Sequence, residues 1–207
     1  GPCFIGDGSL IQPASIIRHH MSIGPVCKVG GEVEESVIHG YSNKQHTGFL
    51  GHAYVGEWVN LGAGCTNSDL KNTYGPVRVP VNGVEVDTGE RFVGMTFGDH
   101  SKAGINASFP TGAVVGTCAN VFVSHFPQKF VPSLSWYTDE GLVEYAIERC
   151  VEVAGKVMAR RKKVVTPPMR ALFEALPGLR RRYEGWPDGG GGEAGTSAAL
   201  ERAVERR

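Results

Sequence analysis

The chain has 207 residues, is 41% hydrophobic, and balances 21 Lys and Arg against 21 Asp and Glu for a formal net charge of zero. That length suits one domain with appendages and a real core, and the balanced charge gives no global electrostatic case for nucleic acid or membrane partners. Five widely spaced cysteines (Cys3, Cys27, Cys65, Cys118, Cys150) without a C-x-x-C pair or zinc spacing read as reduced thiols of a cytoplasmic protein; no apolar run approaches the roughly 18 residues that span a bilayer, and no signal-peptide pattern opens the chain.

The chain starts inside a repeat and lacks an initiator Met, so an upstream part is expected to have been removed. Isoleucine or valine recurs every sixth residue at Ile5, Ile11, Ile17, Ile23 and Val29, with Gly following at Gly6, Gly24 and Gly30. A period of six fits neither a helix nor an ordinary strand. It fits a hexapeptide-repeat solenoid, in which each hexad supplies a short strand and a turn and the aliphatic side chains stack inside. Between Glu35 and Gln45 the period lapses, and the polar run from Tyr41 to His46 reads as a corner or loop. The hexads resume at Phe49, Val55 and Leu61. An insertion at 67–96 interrupts them and contains a predicted β-hairpin, two Val-rich runs around Asn82-Gly83. A third block at Phe97, Ala103, Phe109, Val115 and Val121 closes the solenoid, giving a β-helix domain over 1–125.

Phe126, Pro127, Phe130, Pro132 and Trp136 then read as a strap covering the solenoid's open end. A helix is predicted from an N-cap at Thr138, with an apolar stripe from Leu142 to Met158 and the basic run Arg160 to Lys163 at its C-terminal end. Pro167 and Pro168 stop it and open a second helix, Met169 to Leu176. This basic run and Arg180 to Arg182 read as solvated faces that complement helix dipoles. The strap and helices occupy 126–186, and 187–207 reads as a disordered or weakly helical tail.

The segments His46-Thr47-Gly48-Phe49-Leu50-Gly51 and Val59-Asn60-Leu61-Gly62-Ala63-Gly64-Cys65 carry the most specific signal. They resemble, at matching spacing, the acetyltransferase half of the bifunctional N-acetylglucosamine-1-phosphate uridylyltransferase / glucosamine-1-phosphate acetyltransferase family. The resemblance covers residues 3 to about 122. It implies an all-β solenoid, a left-handed parallel β-helix with an inserted hairpin and a C-terminal helical extension, assembled as a homotrimer. It further implies CoA-dependent N-acetylation of a hexosamine 1-phosphate in nucleotide-sugar biosynthesis, with acetyl-CoA as co-substrate and no metal needed for acyl transfer.

By that resemblance His46 is the general base, a role imidazole suits near neutral pH, and Asn67, with Asp69 competing for the match, helps position the amine. Arg18 and Asn60 fall on phosphate- and sugar-contacting positions. Phe49 stands where the family has tyrosine, and the family's second basic ligand is missing near Ser36, with Lys44 or Lys71 as substitutes; both departures point to a related amino sugar. Gly62, Ala63 and Gly64, with Gly104 and Ile105, form the expected CoA side, where small residues let backbone N–H groups approach an acyl oxygen.

The rival reading is a non-catalytic β-helix that trimerises and regulates an attached nucleotidyltransferase, whose own Gly-rich signature is absent from these residues. His46 and His52 also raise γ-class carbonic anhydrase, but that family's histidine spacing is not reproduced.

Overall fold

The computed structural model describes residues 1–184; the tail expected at 187–207 lies outside them. The frame is a left-handed parallel β-helix whose very short strands stack into three faces. The first face runs through Cys3–Ile5, Met21–Ile23, Val37–Ile38, Tyr54–Val55, Thr96–Phe97, Val114–Val115 and Phe130–Val131. The second runs through Leu10–Ile11, Lys28–Val29, Asn43–Lys44, Asn60–Leu61, Lys102–Ala103, Asn120–Phe122 and Ser135–Thr138. The third is split into Ile16–Ile17, Glu32–Glu34 and Phe49–Gly51, then Thr66–Asn67 with Ser108–Phe109.

In a two-residue strand one side chain points inward and its neighbour outward. The inward residues form the core: Ile23, Val29, Val33, Ile38, Leu50, Phe97, Phe109 and Val121 are all essentially unexposed. Each such side chain stabilises the fold by about 1.5–3 kcal/mol relative to solvent exposure. The hexad reading holds where corners have full length. It slips at three corners of the early coils: the inward positions Val29 and Val33 are four apart, and Val33 to Ile38 and Leu50 to Val55 are each five apart, so the buried residue is Leu50 while Phe49 faces outward, half-buried. The supposed lapse before Gln45 also resolves, because Ile38, Lys44 and Leu50 keep a spacing of six with a lysine in the inward place.

Corners between the first and second faces need a left-handed backbone. Val26, Tyr41, Trp58, His100, Cys118 and Leu134 all supply it, at φ between 56 and 62°. Gly48 answers a different demand: its φ is +119°, and a Cβ there would collide with the Cys65 carbonyl of the next coil. After Asn67 the chain leaves the solenoid and returns at Thr96. The excursion includes the predicted hairpin, Arg78–Val81 antiparallel to Val84–Asp87, around Asn82 and Gly83 at φ 49 and 77°, as a type I′ turn requires.

Three C-terminal expectations are corrected. The strap is a further coil, since Phe130–Val131 pairs with Val114–Val115 and Ser135–Thr138 with Asn120–Phe122. Residues 139–146 are not helical: Gly141–Glu144 folds back antiparallel on Ser135–Thr138, the turn passing through Gly141 at φ +131°. A glycine that accepts positive φ outweighs the apparent N-cap at Thr138. Helix α1 therefore spans Ile147–Ala159, with Cys150, Ala154 and Met158 buried, and helix α2 spans Pro167–Tyr183, capped by Thr166. Nor is Arg180 a solvated charge: it is buried, 2.7 Å from Glu144 Oε1.

Both helices cover the edge marked by the left-handed corners. Phe173 packs on His100 with ring centroids 5.1 Å apart, and Lys163 lies over Tyr41. Cys118 and Cys150 form a disulfide across 32 residues, correcting the reading of five free thiols. Spacing could not reveal it, because the pairing depends on α1 laying Cys150 against a solenoid corner. The pairing also removes the thiol argument for a cytoplasmic protein. Cys27 and Cys65 are buried free thiols and Cys3 an exposed one. Among the described residues no helix is long and apolar enough to cross a membrane.

Candidate functional site

A cavity of about 340 Å³ lies where the C-terminal end of α1 overhangs the second face and its outgoing corner. Its floor comes from Lys28, Asn43 and Asn60, outward residues of three successive strands. One wall is the corner carrying Gln45, His46, Gly62, Ala63 and Ile105; Tyr41 and Trp58 close another, stacked at 4.2 Å and 5°. The roof is Val157, Arg160 and Arg161.

Charge in this cavity is one-sided. Lys28, Arg160 and Arg161 line it, with His46 beside them, and among the described residues no carboxylate does. Arg161 donates to Asn43 Oδ1 at 3.2 Å, and Asn43 donates to Asn60 Oδ1 at 3.3 Å, so the helix is tied to the floor. A pocket with guanidinium and ammonium groups and no acid suits an anionic ligand such as a phosphate ester. The sequence reading gave Arg160 and Arg161 to a helix end and assigned Lys28 no role. Lys28 at an outward strand position and Arg161 within reach of the second face were the missed residues, and only the fold-back of α1 brings them together.

The expected residues separate into two groups. His46, Asn60, Gly62, Ala63 and Ile105 converge on the cavity. Gly64 and Gly104 lie beside it and serve the stacking of coils: Gly64 holds φ +73°, and a Cβ on Gly62 would strike the Gly104 carbonyl.

The others lie elsewhere. Asn67 is buried at 4% exposure, and its side-chain amide clasps Gly51, accepting from its N–H at 3.1 Å and donating to its carbonyl at 2.9 Å. Asn67 thus bridges the break in the third face, where the strand ladder is interrupted beneath the insertion. Lys44 points into the core, donating from Nζ to the carbonyls of Gly30 and His46 at 2.8 and 2.7 Å; burial lowers its pKa to about 8. Arg18 is held by Glu32 at 2.5 Å and Glu34 at 3.3 Å. Those carboxylates occupy the fork a phosphate would need. Lys71 donates to the Pro76 carbonyl within the insertion. Phe49 faces outward near Gly51 and Asp69.

A second imidazole stands at the next corner. His52 Nδ1 is 2.8 Å from Asp69 Oδ2, and its ring stacks on Phe92 of the insertion with centroids 5.2 Å apart. Such a carboxylate fixes the ring's orientation. Among the described residues no side chain does this for exposed His46.

No protein-family model matches the chain. Curated relatives do. The bifunctional sugar-1-phosphate nucleotidylyltransferase/acetyltransferase of Sulfurisphaera tokodaii is 35% identical over 117 residues, 56% of this chain and 28% of the relative. The β-helix thus resembles part of a bifunctional sugar-phosphate enzyme. The bifunctional protein GlmU of Methanocaldococcus jannaschii is 30% identical over 54% of this chain and 26% of its own length. That of Acaryochloris marina is 31% identical over 58% and 23%. The chain therefore spans about a quarter of the length of these relatives. The likeness extends over little more than half of this chain and joins a parallel β-helix fold to relatives named as bifunctional, one of them as a nucleotidylyltransferase/acetyltransferase.

Proposed function

We propose that the chain is a CoA-dependent N-acetyltransferase acting on an amino-sugar phosphate, in nucleotide-sugar biosynthesis. The observation that carries this reading is the cavity in which the exposed imidazole of His46 adjoins the small-residue corner Gly62-Ala63, with Lys28 in the floor and Arg160 and Arg161 in the roof. Acetyl-CoA is larger than this space, so part of it enters: its phosphates meet Lys28, Arg160 and Arg161, and the pantetheine arm runs past Ala63 and Ile105 toward His46. His46 then takes a proton from the attacking amine, and the thioester's acyl carbon passes to that nitrogen with CoA thiolate leaving. Backbone N–H groups at the Gly62-Ala63 corner approach the acyl oxygen. The sugar binds on the third-face side of His46, where Phe49 gives an apolar contact.

Arg18 is engaged by Glu32 and Glu34. Its fork must exchange partners to receive a sugar phosphate, and this favours a substrate other than the one the resemblance first suggests. A homotrimer completes the site in this reading, with a neighbouring copy closing the exposed side of His46. The compartment is proposed to be the cytoplasm, where acetyl-CoA and sugar phosphates are made.

Calorimetric titration with CoA tests the cofactor half directly. Binding should weaken by about tenfold or more in Arg161→Ala, as expected when a charge-assisted phosphate contact is lost. Equal affinity for CoA and for dephosphorylated pantetheine, or no binding by a folded sample, would contradict the assignment. In the rival reading the β-helix only assembles and regulates an attached nucleotidyltransferase. The salt-bridged Arg18 favours it, and the same titration separates the two.

A further inference from the structure

The corner between the third and first faces holds a cluster that acyl transfer does not use. His19 and His20 leave one coil and Glu35 leaves the next. The corner imposes left-handed backbone on His20 and Glu35, at φ 54 and 45°. Their side chains meet at a single atom: His20 Nδ1 lies 2.7 Å and His19 Nε2 3.0 Å from Glu35 Oε1. The two rings are perpendicular with centroids 5.0 Å apart, and the three ligand atoms all fall within 4.8 Å of one another.

A tetrahedral ion with bonds of about 2.0–2.1 Å places its donors about 3.3 Å apart, so the His–Glu distances widen by about 0.3–0.6 Å and the two imidazole nitrogens, which lie within 4.8 Å of each other, take up the same spacing to admit it. Side-chain torsions supply that, since both imidazoles are about half exposed. Competing cations are drawn elsewhere: Arg18 pairs with Glu32 and Glu34, and His52 with Asp69.

We propose that His19, His20 and Glu35 form a binding site for a borderline divalent transition metal of the zinc class. Two imidazole nitrogens and one carboxylate oxygen match that ion's preferences, and the fourth position is left to water or an added ligand. Magnesium and calcium, which seek all-oxygen shells, are disfavoured. The ligands come from successive coils, so the ion braces the first coil, whose Ile5 is 45% exposed and whose Ile11 and Ile17 are only partly buried against the core. The site does not depend on the acyltransferase reading.

The test uses untagged protein freed of metal by chelator and dialysis, titrated with zinc chloride by calorimetry, with cobalt chloride as an optical probe. The expected result is one ion per chain, tetrahedral visible absorption with cobalt, and a rise in melting temperature on adding zinc. Glu35→Gln should weaken zinc binding at least tenfold, and His19→Ala/His20→Asn should abolish it. Asparagine at position 20 keeps a residue at ease in left-handed backbone. Metal-free melting of these variants, close to that of the unaltered chain, shows that the fold is retained. His125→Ala, at a separate exposed imidazole, should bind as the unaltered chain does. Binding that is absent at one equivalent, or undiminished in both Glu35→Gln and His19→Ala/His20→Asn, overturns the proposal.

Discussion

Replacing Asn67 by Ala distinguishes two roles for a residue that the resemblance assigns to catalysis and the fold assigns to architecture. The Asn67 amide satisfies both the N–H and the carbonyl of Gly51, at 3.1 and 2.9 Å, in a buried gap between strands. Alanine leaves both groups without these partners, and each buried unsatisfied backbone group costs about 1–3 kcal/mol. Water entering the gap recovers part of this, so the expected loss is about 2–4 kcal/mol. For a domain of this size each kcal/mol lowers the melting temperature by about 2–4 °C, giving a fall of about 4–16 °C. Thermal unfolding followed by circular dichroism measures it, with CoA release assayed below the transition. The structural account expects the melting shift with turnover per folded molecule kept within about threefold. Unchanged melting with turnover reduced a hundredfold would refute it and restore Asn67 to the reacting centre.

Acid should weaken the fold through His100, which burial beside Trp58 and Phe173 holds near pKa 4. The unfolded chain binds the proton first, so stability falls as pH drops from about 6.5 toward 4, by on the order of 3 kcal/mol; His100→Asn should flatten the pH dependence of melting over that window. Lys44 and Lys102, each lowered by burial to about 8, act with the same sign at higher pH. Stability should rise above pH 8, until Cys65, pushed up to about 12, opposes it once unfolded thiols ionise near pH 9; titrating the melting point of Lys44→Met tests the first part. Cutting the Cys118–Cys150 link with Cys150→Ser should cost about 2–4 kcal/mol, read in denaturant unfolding. The same change should raise the KM for acetyl-CoA, because α1 carries Arg160 and Arg161 over the cavity.

The solenoid was legible because its core repeats in the sequence: Phe97, Ala103, Phe109, Val115 and Val121 are spaced by six and all buried. The earlier coils were harder to read because corners shortened to four or five residues move the inward position without any change in composition. That shift exchanged Phe49 for Leu50 and hid Lys44 inside the core. A lysine reads as a surface residue or ligand until its Nζ is seen donating to the carbonyls of Gly30 and His46. At the site, His46, Asn60 and the Gly62-Ala63 corner were readable because they are close in sequence and one coil apart. Arg160 and Arg161 were not, since more than a hundred residues separate them from His46 and their place depends on the turn at Gly141 and the packing of α1 on the solenoid edge.

The central claim is a transfer reaction centred on His46. Purified chain incubated with acetyl-CoA and a panel of hexosamine 1-phosphates, with CoA formation followed chromatographically, should show release that requires one of the sugars and falls by on the order of 10² or more in His46→Ala. Release lost in His52→Ala and kept in His46→Ala, or no release with any sugar from a folded, assembled sample, would contradict it.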